Sequence, residues 1–437
     1  MGFEERSVLG AVSGNGQTEV TFELSEKPFF DELELHGQKV VVSVHPLVTT
    51  DNMILRPPFC PKLNEYYGRE AYFLYNAVRS EHNGLGIIVD IGTESLTLRA
   101  LDTRTLVKRL FEIHGITAKP SQAGLVGLRL IEQMGGAQGC RVFKIAGVRE
   151  LIKDYPPDRS FTRSAALMKI GNVDQTGKLH FAKYERLFIQ YTEGKTAKPE
   201  HAFQHLLKCG VFRPGLKLVC PHCELENWFH LDDARTVSKC EYCDREFNVA
   251  PQLRDRDWAY RRSGLFGRDD NQGGGIPVAL LLQQIHTALH SHLFAFTTGT
   301  DLDPITANIK KCESDFVVLA EAPGAPRLQI AIGECKSHKP IEMDDVTKLG
   351  RVADVLDAAG DCDVFVIFVK TRPFSAEEIQ RCQAIQGRDR RRVILLSDRE
   401  LEPYFMYEES KAQLQNRAFA NSLADMVRAT DTLYFNS

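Results

Sequence analysis

The sequence predicts a multidomain α/β protein. Its 437 residues are enough for two to four domains. A hydrophobic content of 43% and a charged content of 26% are ordinary for globular proteins, so sizeable cores can form. Strand-like and helix-like hydrophobic patterns alternate along the C-terminal part. We predict five segments: a β-rich module (1–60), a mixed α/β recognition or sensing domain (61–200), a cysteine-rich module (201–255), a linker (256–275) and a C-terminal α/β domain (276–437).

The charge balance argues against a globally basic nucleic-acid binder. The net charge is −4 at pH 7, so any contact with phosphates must come from local basic patches. The region from residue 276 onward carries 18 Lys and Arg residues against 23 Asp and Glu residues. If that region binds phosphates, it therefore needs a bound cation or a neighbouring basic surface.

The N-terminus and the cysteine content favour the cytoplasm. The first ten residues contain no apolar signal-peptide core. The apolar runs reach about eight residues, far fewer than a membrane span needs, so no membrane partner is expected. Eleven cysteines, an odd number in a chain with no secretion signal, predict a reducing compartment with free thiols and a metal site.

The N-terminal half gives structural rather than chemical indications. Two segments of the first 60 residues, Glu19–Leu24 and Lys39–Val44, predict strands. Farther on, helical patterns at Thr105–His114 and Ser121–Met134 precede a predicted strand at Cys140–Ile145. Two helices followed by a strand are compatible with a winged helix-turn-helix that contacts DNA. The alternative is a packed α/β platform for sensing or oligomerisation.

Four cysteines carry the strongest chemical indication. Cys220 and Cys223 form one CxxC pair, and Cys240 and Cys243 form a second pair after sixteen intervening residues. Each pair can supply two thiolates from one tight turn, and the intervening segment can bring the turns together around a tetrahedral zinc ion. The pattern resembles a zinc ribbon. Four cysteine ligands close the coordination shell, which implies structural zinc, and an iron–sulfur centre is the alternative.

An arginine-rich segment follows the cysteine module. Its four arginines are interleaved with two aromatic residues within 254–262. Such a segment can contact both the backbone and the bases of a nucleic acid, although it can also serve as a strap between domains. The candidate nucleic-acid contacts are Arg254, Arg256, Arg261 and Arg262.

Helix and strand patterns alternate in the C-terminal region. The predicted elements are a helix at Ile276–His292, strands at Leu293–Thr297, Asp315–Ala320 and Leu328–Lys336, a helix at Asp344–Ala359, a strand at Asp363–Val369, a helix from Ser375, a strand at Val393–Leu396 and a closing helix at Ser410–Ala429. Before the closing helix, the predicted order is α-β-β-β-α-β-α-β.

A charged triplet ends the third of these strands. Because strand side chains alternate between faces, Glu334 and Lys336 share a face with the apolar Ile330 and Ile332. Charges at the end of a buried face are unfavourable unless they have partners or a function. If the preceding strand pairs with this one as a hairpin, Asp315 can lie beside both charged residues.

This arrangement resembles the PD-(D/E)xK nuclease superfamily over about the last 160 residues. The matching residues are Asp315 and Glu334-Cys335-Lys336, set in the element order above. The resemblance implies a restriction-endonuclease-like core in which Asp315, Glu334 and the Cys335 backbone carbonyl hold Mg²⁺, a cation that prefers oxygen ligands. It also implies that Lys336 orients or helps to activate the attacking water.

The function implied by this resemblance is metal-dependent hydrolysis of phosphodiester bonds by an endonuclease. DNA is the expected substrate, and restriction or anti-phage defence is the expected role. Lys348 and Arg351, on the helix after the triplet, are candidate contacts to the phosphate backbone. A homodimer is also expected, together with a partner protein or an activating trigger.

One departure from the family pattern leaves alternatives open. Many members carry a further acid on the first helix, where this sequence has Gln283 and Gln284. Glu313, two residues before Asp315, is another candidate acid. The alternatives are a catalytically inactive nuclease fold that binds DNA or holds an assembly together, and a sensor-gated effector that is silent without its partner.

Overall fold

A computed structural model describes most of the chain after residue 94 and the backbone of short segments before it. The described residues are 12–13, 17–23, 39–44, 53–54, 78–81, 84–90, 95–172, 181, 184, 197–233, 235–253, 257–268, 274–289, 294–321, 327–337, 339–358, 360, 362–385 and 392–436. They form a mixed α/β protein with several β-sheets and a cluster of four cysteines. Within these ranges, no helix is long and apolar enough to cross a membrane.

The described residues before position 103 form seven strands. They are β1 (Val12–Ser13), β2 (Gln17–Glu23), β3 (Lys39–Val44), β4 (Met53–Ile54), β5 (Val78–Glu81), β6 (Gly84–Asp90) and β7 (Ser95–Asp102). Four of them form an antiparallel sheet in the order β1-β2-β7-β4, and three form a second sheet in the order β3-β6-β5. Strands β2 and β3 confirm the two strands predicted from their alternating or β-branched residues.

Helices dominate the next region. Its elements are α1 (Thr103–Glu112), β8 (Ile116–Pro120), α2 (Gln122–Gln133), a 3₁₀ helix (Ala137–Lys144), α3 (Ala146–Asp154), β9 (Phe161–Thr162), α4 (Arg163–Ile170) and α5 (Pro199–Lys208). Side-chain caps fix where α1 and α2 begin, because the Asp102 carboxylate accepts from the Thr105 amide at 2.8 Å and the Ser121 hydroxyl accepts from the Gly124 amide at 2.9 Å. Both helices were predicted.

The predicted strand at Cys140–Ile145 is wrong, because the segment forms most of the 3₁₀ helix. Gly135 and Gly136, with φ of 80° and 94°, turn the chain out of α2 just before it. Five of the segment's six residues are buried, namely Cys140, Val142, Phe143, Lys144 and Ile145. A short segment that is buried all round has no periodicity that separates helix from strand.

The cysteine module is built on short antiparallel strands. They are β10 (Phe212–Val219), β11 (Glu226–His230), β12 (Val237–Lys239), β13 (Glu246–Asn248) and β14 (Trp258–Arg262). Strands β12 and β13 form a two-stranded hairpin, whereas the others join β9 in the order β11-β10-β14-β9. The strand after the module therefore returns to pair with the region before it.

The C-terminal region contains α6 (Gly275–Ala288), β15 (Phe294–Pro304), β16 (Cys312–Glu321), β17 (Leu328–Lys336), α7 (Met343–Asp357), β18 (Cys362–Lys370), α8 (Ala376–Gln383), β19 (Val393–Leu396), α9 (Asp398–Leu401) and α10 (Leu423–Thr430), followed by a π-helical turn (Asp431–Phe435). The observed order from α6 to β19 is the predicted one. Strand β15 is longer than predicted and extends to Pro304.

These strands form a six-stranded sheet in the order β19-β18-β17-β16-β15-β8. Strands β15, β16 and β17 pair antiparallel, whereas β17, β18 and β19 pair parallel. The sixth strand, β8, comes from residues predicted as a separate mixed α/β domain, so the sheet extends beyond the boundary drawn at residue 276. This pairing favours the packed platform over the winged helix-turn-helix for that region.

The two faces of the sheet belong to different cores. One face contributes Phe316 and Ile367 to a core that includes α6 and the C-terminal helices. The opposite face contributes Val317 and Ile332 to a core that includes α1 and α7. Alternation along β16 and β17 therefore decides which side chains meet α6 and which meet α7.

Two glycines allow α2 to lie directly on the sheet. A Cβ atom on Gly124 would lie 2.0 Å from the carbonyl oxygen of Gly299 in β15, and a Cβ on Gly299 would lie 2.6 Å from the Gly124 amide nitrogen. The Ser121 amide also donates to the Gly299 oxygen at 2.9 Å. Backbone-to-backbone contact of this kind excludes any side chain at either position.

The predicted closing helix at Ser410–Ala429 is wrong from Ser410 to Ser422. Within this segment, the α-helix is α10 (Leu423–Thr430), and the residues before it form short turns and irregular structure. Gln415 and Asn416 have φ of 54° and 64°, a left-handed conformation that ends a helix. The apolar spacing in this segment reflects packing of separate turns against the core.

Candidate functional site

The pairing of β16 with β17 brings the predicted charged residues together. Phe316 pairs with Gly333, so the next residues toward this edge are Asp315 on one strand and Glu334 on the other. The Asp315 carboxylate accepts a hydrogen bond from the Cys335 amide at 2.6 Å. The hairpin expected from the sequence is therefore present, and it holds Asp315 against the Glu334–Lys336 segment.

Lys336 connects this pair of strands to the next helix. Its Nζ contacts the Glu334 carboxylate and lies 3.7 Å from the carboxylate of Asp345. Both Glu334 and Lys336 are largely covered, with side-chain exposures of 14% and 23%. Asp345 was not predicted as a site residue, although its place in the first turn of a predicted helix directly after the triplet could have indicated it.

The site concentrates negative charge. Burial raises the pKa of the Asp315 carboxyl to about 6, with a further contribution from Glu313, although the Cys335 amide and Lys336 oppose it. Burial and the neighbouring Asp315 raise the pKa of Glu334 to about 8 against the opposing effect of Lys336. Burial alone would lower the pKa of Lys336, but its contact with Glu334 outweighs burial and raises it. Such clustered, partly buried carboxylates are the donors that a hard divalent cation prefers.

Glu313 extends the acidic cluster toward α2. Its carboxylate accepts a hydrogen bond of 2.5 Å from the hydroxyl of Ser121, the residue that also caps α2. Glu313 lies two residues before Asp315 on the same strand and contributes to raising the pKa of Asp315. The structure thus places an additional acid near the site on a strand rather than on a helix.

The first helix of the region contributes no acid to the site. Helix α6 contains no Asp or Glu and packs in the core on the sheet face opposite Glu334 and Lys336. The Gln284 side chain contacts Lys144 Nζ and donates to the Glu400 carbonyl at 2.9 Å. Gln283 donates to the Thr287 hydroxyl at 2.8 Å. Both glutamines therefore have structural positions in the core.

The four predicted zinc ligands form a compact cluster. The sulfur atoms of Cys220, Cys223, Cys240 and Cys243 all lie within 4.8 Å of one another. The sulfurs of Cys220 and Cys243 are 3.6 Å apart, as are those of Cys223 and Cys240. A tetrahedral zinc with Zn–S bonds of about 2.3 Å requires sulfur separations of about 3.8 Å. The cluster therefore fits a zinc ion, and the ten cysteines that the structure describes are all free thiols.

The two CxxC turns have the same local geometry. The amides of His222 and Tyr242 each lie 3.4 Å from the sulfur of the first cysteine of their turn. The residue after the second cysteine is left-handed in both turns, with φ of 59° at Glu224 and 64° at Asp244. Amide-to-sulfur hydrogen bonds stabilise thiolates, which are the form that binds metal.

Aromatic residues of the module serve mainly to pack it. Phe247 is buried, and its ring lies 5.9 Å from that of Phe229. Tyr242 is 63% exposed on the second CxxC turn. Trp228 donates its Nε1 hydrogen to the Ala259 carbonyl at 3.3 Å. Phe229 and Phe247 thus belong to the core of the module.

The predicted nucleic-acid contacts have different environments. Arg254 and Arg256 lie outside the described residues. The Arg261 guanidinium lies 4.9 Å from the centre of the Trp228 ring. The structure places the other three as follows: Arg262 is buried, Lys348 pairs with Asp344 at 2.6 Å, and Arg351 is exposed on α7.

Comparisons with known proteins do not assign this chain to a family. No family model matches the chain, and no curated protein matches it. Among solved structures, the crystal structure of protein VC1899 from Vibrio cholerae aligns with 77% of this chain and 67% of its own, with a TM-score of 0.30 and 10% sequence identity. A similarity this low supports no conclusion about fold or function.

Proposed function

We propose that the protein is a Mg²⁺-dependent endonuclease whose C-terminal domain has the PD-(D/E)xK core. The observation that carries this proposal is the convergence of Asp315, Glu334 and Lys336 at one edge of the sheet. The element order from α6 to β19, with a β15-β16-β17 meander followed by parallel β18 and β19, supports the same core.

Each residue of the site has a distinct proposed role. Asp315 and Glu334 would hold Mg²⁺ together with the Cys335 backbone carbonyl. When bound, Mg²⁺ supplies Lewis-acid stabilisation of the phosphoryl oxygens and lowers the pKa of coordinated water. Lys336 would hold the attacking water in line with the scissile phosphate through its ammonium hydrogens. Asp345, 3.7 Å from Lys336, would position that ammonium group.

The zinc module is proposed to have a structural rather than a catalytic role. Four thiolates leave no open coordination position for a substrate. The module and the N-terminal region would recognise DNA, a partner or an activating trigger in a cytoplasmic protein. A role in restriction or anti-phage defence, with a homodimer as the working form, rests on analogy with other proteins that join a specificity module to this nuclease fold.

A second candidate function is a nuclease fold that binds DNA without cutting it, or that stays silent until a partner arrives. The observation that favours it is the absence of any acid from α6, where Gln283 and Gln284 have structural contacts. Glu313 offers an alternative acid, so this observation does not outweigh the convergent triplet.

Cleavage assays test the proposal. Plasmid and single-stranded DNA would be incubated with Mg²⁺, Mn²⁺ or EDTA and wild-type protein, Asp315→Ala or Lys336→Ala. We expect metal-dependent cutting by the wild type and its loss in both variants. Glu377→Gln, which changes an exposed acid of α8, is the control that should cut normally. Cutting that persists in Asp315→Ala would contradict the assigned site.

A further inference from the structure

A cleft lies beside the proposed catalytic edge of the sheet. It has a volume of about 820 Å³ and lies where β17 and β18 end, between that edge and helices α3 and α4. Ser337, Thr371 and Arg372 contribute from the sheet side. Residues of α3, α4, the end of β14 and the start of α6 form the remaining walls. The cleft thus joins the C-terminal region to residues that were predicted as a separate domain.

The cleft is strongly basic within an acidic protein. Its lining includes five cationic side chains and two acidic ones, Glu150 and Asp154, an excess of three positive charges. The whole chain has a net charge of −4, so this concentration is local. The cationic residues are Arg149, Lys153, Lys169, Arg262 and Arg372.

The cations differ in how far they are already neutralised. Lys169 pairs with Asp154 at 2.7 Å, and Arg149 pairs with Glu402 at 2.5 Å. Lys153 and Arg372 are exposed, and neither forms an ion pair with a residue that the structure describes. These two side chains therefore present uncompensated positive charge to a ligand.

The cleft and the proposed catalytic residues meet at the end of β17. Ser337 directly follows Lys336 in the chain. The Thr371 amide donates to the Lys336 carbonyl at 3.3 Å, and the Thr371 hydroxyl donates to the Ser337 carbonyl at 3.1 Å. One wall of the cleft therefore begins at the residue after Lys336, and a nucleic-acid strand lying across the end of β17 would reach both the cleft and the proposed site.

We propose that this cleft binds the phosphodiester backbone of the nucleic-acid strand that reaches the Asp315–Glu334–Lys336 site. The inference rests on the proposed nuclease function and extends it, because it assigns substrate binding to α3 and α4 outside the nuclease core. Lys153 and Arg372 contact phosphates directly, while Arg262, which is 5% exposed, contributes its charge from the cleft wall. The basic surface that the acidic C-terminal region requires is thus supplied by a neighbouring part of the chain.

Equilibrium binding without Mg²⁺ tests this inference independently of cleavage. Full-length wild type and Lys153→Glu/Arg372→Glu would be titrated into labelled single-stranded DNA, its duplex and RNA of the same sequence, with fluorescence anisotropy as the readout. Lys208→Glu/Arg417→Glu is the matched control, since it makes the same charge change at two exposed residues outside the cleft. Thermal unfolding of all three proteins would show that they are equally folded.

We expect the cleft variant to bind at least one of these nucleic acids about tenfold more weakly than the control variant does, at about 100 mM salt. Two lost phosphate contacts should also reduce the slope of log affinity against log salt by about 1.4 for a single strand. If the two double variants bind every probe equally, the cleft assignment is overturned even where cleavage requires Asp315 and Lys336. If binding depends on the cleft but no metal-dependent cleavage occurs, the cleft assignment stands and the nuclease function fails.

Discussion

The four-cysteine cluster and the Asp315–Glu334–Lys336 site both gather ligand-type side chains, but they do so by different means. Each CxxC turn fixes two sulfurs through local backbone geometry and connects the two strands of a short antiparallel pair. The carboxylate site instead depends on the register of two strands and on a helix that follows them. The first site is specified by spacing in the sequence, and the second by tertiary contacts.

The two sites also differ in their expected relation to stability. Zinc held by the four thiolates, as proposed, would contribute directly to folding, because the site does not exist in the unfolded chain. The carboxylates are crowded and partly buried, which raises the pKa of both Asp315 and Glu334 and is unfavourable without a cation. Under the proposed function, the cysteine cluster would stabilise its module, whereas the carboxylate cluster would reduce stability for the sake of catalysis.

The largest expected effect comes from breaking the cysteine cluster. Cys223→Ser or Cys243→Ser should bind far less than one zinc ion per chain. Either variant should also unfold the module, since structural zinc contributes about 10 kcal/mol or more to folding. Metal analysis and limited proteolysis would measure both effects. Cys312→Ser, at a half-buried cysteine outside the cluster, should retain the metal. Full zinc content in the ligand variants would rule out the four-cysteine site.

Neutralising the carboxylate site should have opposite effects on activity and stability. We expect Asp315→Asn to reduce cleavage by about a hundredfold or more, because a metal ligand is lost. The same change should raise the free energy of unfolding of the metal-free protein by about 1 kcal/mol, because a buried charge is removed while an acceptor for the Cys335 amide remains. Denaturant unfolding would measure this change in the free energy of unfolding. The buffer would be freed of divalent metals with EDTA, and zinc would then be restored to keep the cysteine module intact. A destabilised Asp315→Asn protein would show that the carboxylate is structural.

The contact between α2 and the sheet tests how far the C-terminal region depends on the preceding one. Gly299→Val should lower the free energy of unfolding by about 3 kcal/mol, because its side chain would collide with the Gly124 backbone. Gly127→Ala is the control. Gly127 lies on α2, as Gly124 does, but a Cβ at Gly127 would meet only ordinary contacts at 3.5 Å or more. Equal stability of the two variants in thermal unfolding would show that α2 is not packed on β15.

A smaller, pH-dependent effect is expected at the buried Lys370–Glu378 pair. Burial raises the pKa of Glu378, but hydrogen bonds from Lys370, Ser375 and Ile341 outweigh it and hold the pKa below its usual value. The folded pKa is depressed, so the pair stabilises the protein above the unfolded pKa of Glu and loses that contribution as pH falls through the folded value.

Glu378→Gln should therefore be about 2 kcal/mol less stable near neutral pH and should lose less stability on acidification than the wild type. Unfolding curves between about pH 3 and 7 would measure the difference. Glu377→Gln, at the exposed neighbouring position, should follow the wild-type curve. Parallel curves for Glu378→Gln and the wild type would contradict the assigned role of the pair.

Long hydrophobic patterns and fixed spacings made much of the C-terminal fold and the cysteine cluster predictable. Helix α7 follows from its apolar periodicity, strand β18 from a continuous apolar run, and the CxxC turns from the spacing of four cysteines. Sequence reasoning failed where the pattern was short or irregular. The segment at Cys140–Ile145 is buried all round and looked like a strand, and left-handed residues at Gln415 and Asn416 interrupt an apparent helix.

The sequence by itself determined the four-cysteine cluster and the charged edge of β17, because both depend on residues close together in the chain. Only the tertiary structure decided that β8 completes the sheet and that Asp345 and Glu313 join the charged cluster. It also decided that α3 and α4 help to line a basic cleft that includes Ser337, the residue after Lys336. The physical reason is that strand order and helix packing bring distant residues into contact through burial of apolar surface, and local patterns carry no information about which distant partner is chosen.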